Sequence, residues 1–157
     1  MSVRTVARRQ YQKRVDDAAT GSAHSLSVPP EGWIATVRKA LGISGAQLGR
    51  MTGRTRATIA NMSMDNAAKL SDYQLKAAQL AKAMGCRFVY AIIPETGSAG
   101  DVVEAQARKK ARALVDEASR HMALEDQAIA PDRLEEEIEQ IAGDLVREPP
   151  ADFWQPE

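Results

Sequence analysis

The chain has 157 residues, of which 44% are hydrophobic and 4% aromatic, so we expect one helix-rich domain, with or without an appended unit. Its single cysteine, Cys86, excludes an internal disulfide, and its two histidines, His24 and His121, are too far apart for a zinc cluster. No apolar run approaches the ~20 residues of a membrane span, and the N-terminus lacks the apolar core of a signal peptide. These features predict a cytoplasmic protein without a cofactor or a membrane partner.

The charge is divided unevenly along the chain, although the net charge is zero. Residues 1–64 contain ten basic and three acidic side chains, a net charge of +7, and residues 65–157 contain eleven and eighteen, a net charge of −7. A basic half of this kind is typical of a surface that binds a polyanion. The acidic half suits either a different partner or a solvated surface.

The first 30 residues are predicted to be a basic N-terminal arm and a linker. Residues 3–19 form a basic helical pattern with a weak apolar stripe, which suits either phosphate or partner contacts or a poorly packed arm. Residues 20–32 are a linker, because Pro29-Pro30 forbids a regular helix across them. A helix over 32–41 follows, with apolar residues at three-to-four spacing that should face the core: Trp33, Ile34, Val37 and Leu41.

Residues 44–62, SGAQLGRMTGRTRATIANM, predict two short helices that cross at a tight turn. Ser44 is a good N-cap residue, and Leu48 falls on the inner face of the first helix. Gly49 would lie where the helices come closest, and Gly53 in the turn, where a positive φ favours glycine. The spacing is typical of a helix-turn-helix, although an ordinary αα-hairpin has a similar pattern.

The second of these helices is expected to expose short polar groups and one arginine. Thr55 would cap it, and Ile59 and Met62 would lie on its inner face. Side chains of this kind suit phosphates and base edges in a major groove. The outer face would carry Thr55, Arg56, Ala57, Thr58 and Asn61.

Residues 63–71 are predicted to form a loop, and a fourth helix runs from Ser71 or Asp72 to a C-terminal glycine, Gly85. The next segment, 86–93, is β-branched and aromatic and ends at Pro94, which predicts the one strand of the chain. A lone strand leaves its backbone groups unpaired, so we expect it to pair with a second copy about a two-fold axis, or else to pack irregularly on its own domain. The dimer strand would contain Phe88, Val89, Tyr90, Ala91 and Ile92.

The C-terminal region is predicted to be an acidic helical hairpin. A long helix would begin at an Asp101 cap, with an inner stripe of Val103, Ala107, Ala111, Leu114, Ala118 and Met122. A second helix would follow Pro131, with Leu134, Ile138, Ile141 and Leu145 facing inward. The tail would leave Phe153 and Trp154 bare in a mobile segment, as a docking peptide or as a frayed end packed on its own helix.

We therefore predict a mainly α fold with a helix-turn-helix core, one strand that pairs across a dimer and a C-terminal helical hairpin. The expected divisions are the arm and linker at 1–30, the DNA-binding domain with its strand at 31–94, and the acidic region at 101–157.

Several motifs between residues 30 and 130 match those of a known family. They are Gly32-Trp33-Ile34, Arg38, Ala40-Leu41-Gly42, Gln47-Leu48-Gly49, Leu80-Ala81, Gly85-Cys86-Arg87, Val89-Tyr90-Ala91, Pro94 and Met122-Ala123-Leu124-Glu125-Asp126-Gln127. Together they resemble the mobile mystery protein A family, which comprises small lambda-repressor-like (Xre) helix-turn-helix proteins encoded beside a Fic-domain protein. The resemblance implies a DNA-binding antitoxin that pairs with a Fic-domain toxin and represses its own operon.

The resemblance also implies roles for individual residues. By analogy with phage repressors, Gly45 and Gln47 would lie near phosphate, and Arg56, Ala57 and Asn61 would form the base-reading face. Two positions depart from the superfamily pattern. Its usual Glu after the recognition helix is Ser63 here, and Ala57 replaces a residue that is commonly polar. Direct readout is therefore expected to depend on Arg56 and Asn61.

Residues 27–32, SVPPEG, match the Ser/Thr-x-x-x-Glu-Gly/Asn motif of Fic inhibitors, with Ser27, Glu31 and Gly32 at its fixed positions. That motif acts on a helix, and Pro29-Pro30 argues against one. The acidic C-terminal half is equally available for restraining a toxin.

The leading hypothesis is a dimeric, sequence-specific repressor and antitoxin that binds a palindromic operator in double-stranded DNA. The expected phosphate contacts are Ser44, Gly45, Gln47, Arg54, Thr55 and Thr58, and the expected base contacts are Arg56, Ala57 and Asn61. The alternative is a protein-interaction module that inhibits a toxin without specific DNA binding. Catalysis is not expected, because His121 and Glu125 lack a third partner and Cys86 suits a small buried hydrophobe.

Overall fold

The computed structural model describes residues 11–13, 15, 16, 20, 21, 26–68, 72–124 and 130–155, and for residues 64–68 and 123 the backbone alone. This part of the chain is mainly helical. Most of the predicted N-terminal arm lies outside the described residues. No helix of the described chain is long and apolar enough to cross a membrane. The helices are α1 (Gly32–Ala40), α2 (Gly45–Thr52), α3 (Arg56–Ala68), α4 (Asp72–Ala83), α5 (Ala99–Leu124) and α6 (Pro131–Arg147).

The first three helices pack together, with α3 in contact with both α1 and α2. Helix α1 stops one residue before the predicted end, and Gly42 follows with a φ of 66°. Its C-terminal turn is tied to α2 by Arg38, whose Nη1 donates to the Ile43 carbonyl at 2.7 Å. Ala35 is the buried side chain of α1, and Leu41 packs against the main core.

The turn between α2 and α3 is built on two glycines, as the spacing predicts. Gly53 caps α2 with a φ of 65°, and the Arg54 N–H donates to the Gly49 carbonyl at 2.7 Å. A Cβ at position 49 would lie 2.5 Å from the Arg54 carbonyl oxygen, so only glycine fits this crossing. The Thr58 N–H donates to Thr55 Oγ1 at 3.1 Å, which confirms Thr55 as the cap of α3.

Helix α3 runs to Ala68, so the predicted loop at 63–71 is wrong for residues 63–68. No glycine or proline interrupts this stretch, and the Ser63 hydroxyl donates back to the Ile59 carbonyl at 2.8 Å, inside the helix. Ile59 is buried as expected, but Met62, expected on the inner face, is 40% exposed. The inner face of α3 is therefore narrower than the apolar pattern suggests.

Helix α4 ends at Gly85, which has a φ of 69°, and the Cys86 N–H donates to the Ala81 carbonyl at 2.8 Å. Residues 86–94 form no strand ladder in the single described chain. The predicted strand is thus not formed here, where no second copy is present. Cys86 is exposed, so the expectation of a small buried hydrophobe is wrong.

Helices α5 and α6 form the predicted hairpin, and their register corrects the sequence analysis in two places. Helix α5 begins at Ala99 because Ser98 and Asp101 cap it reciprocally. The Ser98 N–H donates to the Asp101 carboxylate at 2.6 Å, and the Asp101 N–H to Ser98 Oγ at 3.2 Å. The inner stripe continues from Ala111 to Val115, so the predicted inward Leu114, Ala118 and Met122 are exposed.

The core joins the hairpin to the helices before it through the end of the chain. We call residues 149–155 the C-terminal turn. Phe153 is 1% exposed and Trp154 9% exposed, so the expectation of two bare aromatic rings is wrong. They pack with Ile43, Ala107, Ala111, Val115, Ile138 and Ala142, and Leu41 and Leu48 lie against this cluster. The rings fill the junction between α2 and the α5–α6 hairpin, which no periodicity within one helix could reveal.

Candidate nucleic-acid interface

The outward face of α3 presents the predicted base-contacting residues to solvent. Arg56, Ala57 and Asn61 are all exposed, and we call these three residues the reading face. At 100° per residue, Ala57 and Asn61 lie nearly opposite the buried Ile59. The packing of one face of α3 against α1 and α2 therefore leaves the reading face free for a ligand.

Arg56 lies at the border between the reading face and α2. A Cβ placed on Gly45 would meet Arg56 Cγ at 3.8 Å, an ordinary contact distance, so the arginine stem runs beside the first residue of α2. Its guanidinium stays exposed. The sequence analysis assigned Gly45 to phosphate, and the structure adds that it borders the arginine.

Three exposed arginines surround the two-helix unit, and they lack ion-pair partners among the described residues. Arg50 lies at the end of α2, Arg54 in the turn and Arg56 at the start of α3. By contrast, Lys39 is paired with Glu31 at 3.6 Å, and α5 cations such as Arg108 and Arg112 are paired with α6 glutamates. Unpaired guanidinium groups on one side of the molecule provide a local positive potential.

The predicted phosphate contacts at the turn are partly engaged with each other. Thr55 Oγ1 and Thr58 Oγ1 are 2.9 Å apart, and Thr55 Oγ1 also caps the helix. Both side chains are exposed at the N-terminus of α3, where backbone N–H groups and the helix dipole favour anions.

Ser44 and Gln47 form a capping box at the start of α2. The Gln47 N–H donates to Ser44 Oγ at 3.1 Å, and the Ser44 N–H donates to Gln47 Oε1 at 2.7 Å. Gln47 Nε2 donates to the Ala151 carbonyl at 3.0 Å, a contact between residues 104 positions apart. Sequence reasoning had no signal for this contact, because the partner is a backbone carbonyl.

The C-terminal turn is fixed beside α2 by further polar contacts. Gln106 Nε2 donates to the Phe153 carbonyl at 2.7 Å, and Lys110 Nζ lies 3.0 Å from Asp152 Oδ2. The hydrogen bond from Lys110 holds the pKa of Asp152 below its ordinary value. Removing a large buried aromatic ring costs about 3–5 kcal/mol, whereas one hydrogen bond is worth about 0.5–1.5 kcal/mol, so burial of Phe153 dominates the stability of this contact.

The candidate inhibitory segment does not lie on a helix. Residues 26–29 are irregular, and Glu31 precedes the first residue of α1. A backbone hydrogen bond within Glu31 and the nearby Lys39 lower the pKa of its carboxyl. Gly32 is buried with a φ of 79°. The helical form that the Ser27-to-Gly32 motif requires is absent from these residues, and Gly32 instead starts α1.

The predicted dimer strand is partly exposed. Phe88 and Tyr90 stack with ring centroids 5.9 Å apart, as residues two apart in an extended chain can. Val89 and Ile92 are exposed. The segment thus offers both backbone groups and apolar side chains to a second chain.

Within the described residues, no group of three or more His, Cys, Asp or Glu side chains could hold a metal ion. Glu125, which the sequence places one turn after His121, lies outside them. No protein-family model, curated protein or solved structure matches the chain. The resemblance to the mobile mystery protein A family therefore stays a prediction from its motifs.

Proposed function

We propose that this protein is a sequence-specific, double-stranded-DNA-binding repressor of the helix-turn-helix type, with α3 as its recognition helix. The observation that carries the proposal is the reading face. Arg56 and Asn61 project from a helix held on α2 by a glycine crossing, and Arg50 and Arg54 flank them without ion-pair partners among the described residues. A helix presented in this way fits a major groove, and the arginines fit the phosphates on either side.

The two polar residues of the reading face have different partners in this proposal. Arg56 donates two hydrogen bonds to a guanine, and Asn61 pairs with an adenine, because their side-chain geometries match those base edges. Ala57 offers only a methyl group, which suits a thymine methyl. Ser44, Gly45, Arg54, Thr55 and Thr58 fix the register through phosphates.

The proposal includes a homodimer on a palindromic operator. Residues 88–92 form the strand that pairs with the same strand of a second copy, which satisfies the backbone groups left unpaired in one chain. Val89→Pro removes one backbone donor and should shift the protein to monomers, measured as a halved mass by light scattering. Glu95→Pro, just after the segment, is the control and should leave the dimer intact. A Val89→Pro protein that stays dimeric would place the interface elsewhere.

The antitoxin role rests on the motif resemblance. In this proposal the protein restrains a Fic-domain toxin and represses the operon that encodes both. The acidic hairpin, rather than residues 27–32, is the better surface for the toxin, because the inhibitory motif requires a helix that is absent there. Co-expression with the neighbouring Fic-domain protein and co-purification tests this part.

The test of DNA binding is selection from a duplex library with a randomised core, followed by gel retardation. Wild-type protein should enrich a palindrome and retard it at lower protein concentration than a mixed-sequence duplex. The Arg56→Ala/Asn61→Ala protein should lose that preference. If wild-type protein enriches no sequence and retards no duplex in a salt-sensitive way, the DNA-binding proposal fails.

A second candidate function, a protein-interaction module without specific DNA binding, is favoured by α4. Tyr73, Leu80 and Met84 fall on one side of this helix at seven- and four-residue spacing, and all three are exposed. An apolar stripe of this kind suits a protein partner. Co-purification with the toxin in the absence of DNA retardation would favour this function over repression.

A further inference from the structure

One side chain, Gln47, connects the C-terminal turn to the two helices proposed to read DNA. Gln47 Oε1 accepts from the Ser44 N–H at 2.7 Å, and Gln47 Nε2 donates to the Ala151 carbonyl at 3.0 Å. Both polar atoms of the amide therefore bind within the protein. A phosphate contact through this amide would have to share or displace the bond to Ala151.

We propose that Gln47 is a positioning residue for DNA reading and not a phosphate contact, and that the C-terminal turn is the part of the molecule that holds it in place. This inference rests on the proposed DNA-binding function. It assigns a role in sequence recognition to residues 149–155, which are separated from the reading face by about 90 positions of the chain.

The link to recognition runs through the first turn of α2. Gln47 closes the capping box with Ser44, and the next residue, Gly45, lies beside the stem of Arg56. The placement of this turn thus decides where the Arg56 stem can lie. Arg56 gains its preference for a guanine only when both guanidinium donors meet the base edge, so a small displacement of α2 reduces specific binding first.

The C-terminal turn has reason to remain in place when DNA binds. Its release would expose Phe153 and Trp154 and would break the bonds from Gln106 to the Phe153 carbonyl and from Lys110 to Asp152. A phosphate offers Gln47 only one hydrogen bond in return. The balance favours the seated turn, so the Gln47 amide stays directed toward Ala151.

A double-mutant cycle on full-length protein tests this role. Gln47→Leu removes the amide, and Gln106→Leu with Lys110→Met loosens the turn while leaving its aromatic rings intact. Affinities are measured for the selected duplex and for a mixed-sequence duplex of equal length. Both Trp33 and Trp154, the two tryptophans of the chain, border one cavity beside α1, so intrinsic fluorescence reports whether the turn is seated.

We expect each change to weaken binding of the selected duplex about three- to tenfold, with little effect on the mixed-sequence duplex. Combining them should cost no more than the larger single change, because both act on one contact. Gln140→Leu on the exposed face of α6 is the control and should leave both affinities unchanged.

Three outcomes would overturn the inference. Multiplying losses in the combined protein would mean that Gln47 acts without the turn. Equal losses on both duplexes would make it a phosphate contact, and an unchanged Gln47→Leu protein would remove its role. Failure of the proposed function looks different, because wild-type protein would then prefer no duplex, while the same cycle on the urea midpoint would still show whether Gln47 and the turn are coupled.

Discussion

Arg54 and Arg56 are both exposed and unpaired among the described residues, yet they differ in where the helix places them. Arg54 lies in the turn, where its partner can only be the DNA backbone. Arg56 is the first residue of α3, and its stem lies against Gly45, which directs it along the reading face. Two residues of the same type are therefore expected to contribute differently to binding.

Arg56→Ala should reduce the preference for the selected duplex by about 1–3 kcal/mol, with a smaller effect on mixed-sequence DNA, because a base contact is lost. Arg54→Ala should weaken both duplexes equally and reduce the slope of log affinity against log salt by about 0.9, because one phosphate charge is no longer neutralised. Both are measured by fluorescence anisotropy over a salt series. Lys109→Ala on α5 is the control, and a specific loss from Arg54→Ala would contradict the assignment.

Gly49 is a position where a single added carbon matters. Gly49→Ala should destabilise the protein by about 1–3 kcal/mol, because its Cβ would lie 2.5 Å from the Arg54 backbone oxygen and the two helices would have to separate. Gly143→Ala in α6 is the matched control, because nothing lies within 4 Å of its Cβ. It should be neutral or stabilising by up to about 1 kcal/mol. Urea unfolding measures both, and equal stabilities would contradict a close crossing.

At the scale of the elements, helix ends follow local chemistry, and their length depends on what interrupts them. The cap at Ser44, the turn glycine Gly53 and the end at Gly85 lie where the sequence predicts. Helix α3 continues past Met62 because no residue ends it, whereas the polar composition of 63–68 suggested a loop. Helix α5 starts two residues early, since the cap is a reciprocal Ser98–Asp101 pair and not Asp101 alone.

The start of α5 should be sensitive to acid. Hydrogen bonds from the Ser98 N–H and hydroxyl lower the pKa of Asp101 below its ordinary value of 3.8. A lowered folded pKa means that the stabilisation is present above the ordinary value and is lost as the pH falls through the lowered one. Wild-type protein should therefore exceed Asp101→Asn in melting temperature at pH 6, and the difference should shrink below pH ~3.8. Glu117→Gln, in the middle of α5, is the control, and a difference that is constant with pH would contradict this role.

At the scale of the whole molecule, the end of the chain joins its parts. The C-terminal turn packs Phe153 and Trp154 between Ile43, just before α2, and the alanines of α5. The hairpin and the proposed DNA-reading helices therefore share one core. A partner that grips the hairpin acts on a body to which the reading face is directly attached.

Phe153→Ala should destabilise the whole protein by about 3–5 kcal/mol, because the ring is almost completely buried in the shared core. Val146→Ala, a half-exposed apolar residue on α6, should cost far less. Denaturant unfolding monitored by circular dichroism and by tryptophan fluorescence gives both values. A small loss for Phe153→Ala, similar to that of Val146→Ala, would show that the C-terminal turn does not hold the core together.

The sequence by itself determined the helical class, the two-helix unit with its glycine turn and the choice of Arg56, Ala57 and Asn61 as outward residues. These follow from contacts three or four positions apart, which periodicity and capping residues record directly. Only the tertiary structure decided that Phe153 and Trp154 are buried, that Leu114 is outside the core and that Gln47 is held by Ala151. Those outcomes depend on segments distant in the chain meeting in space, and a backbone carbonyl that accepts a hydrogen bond has no signature in the sequence.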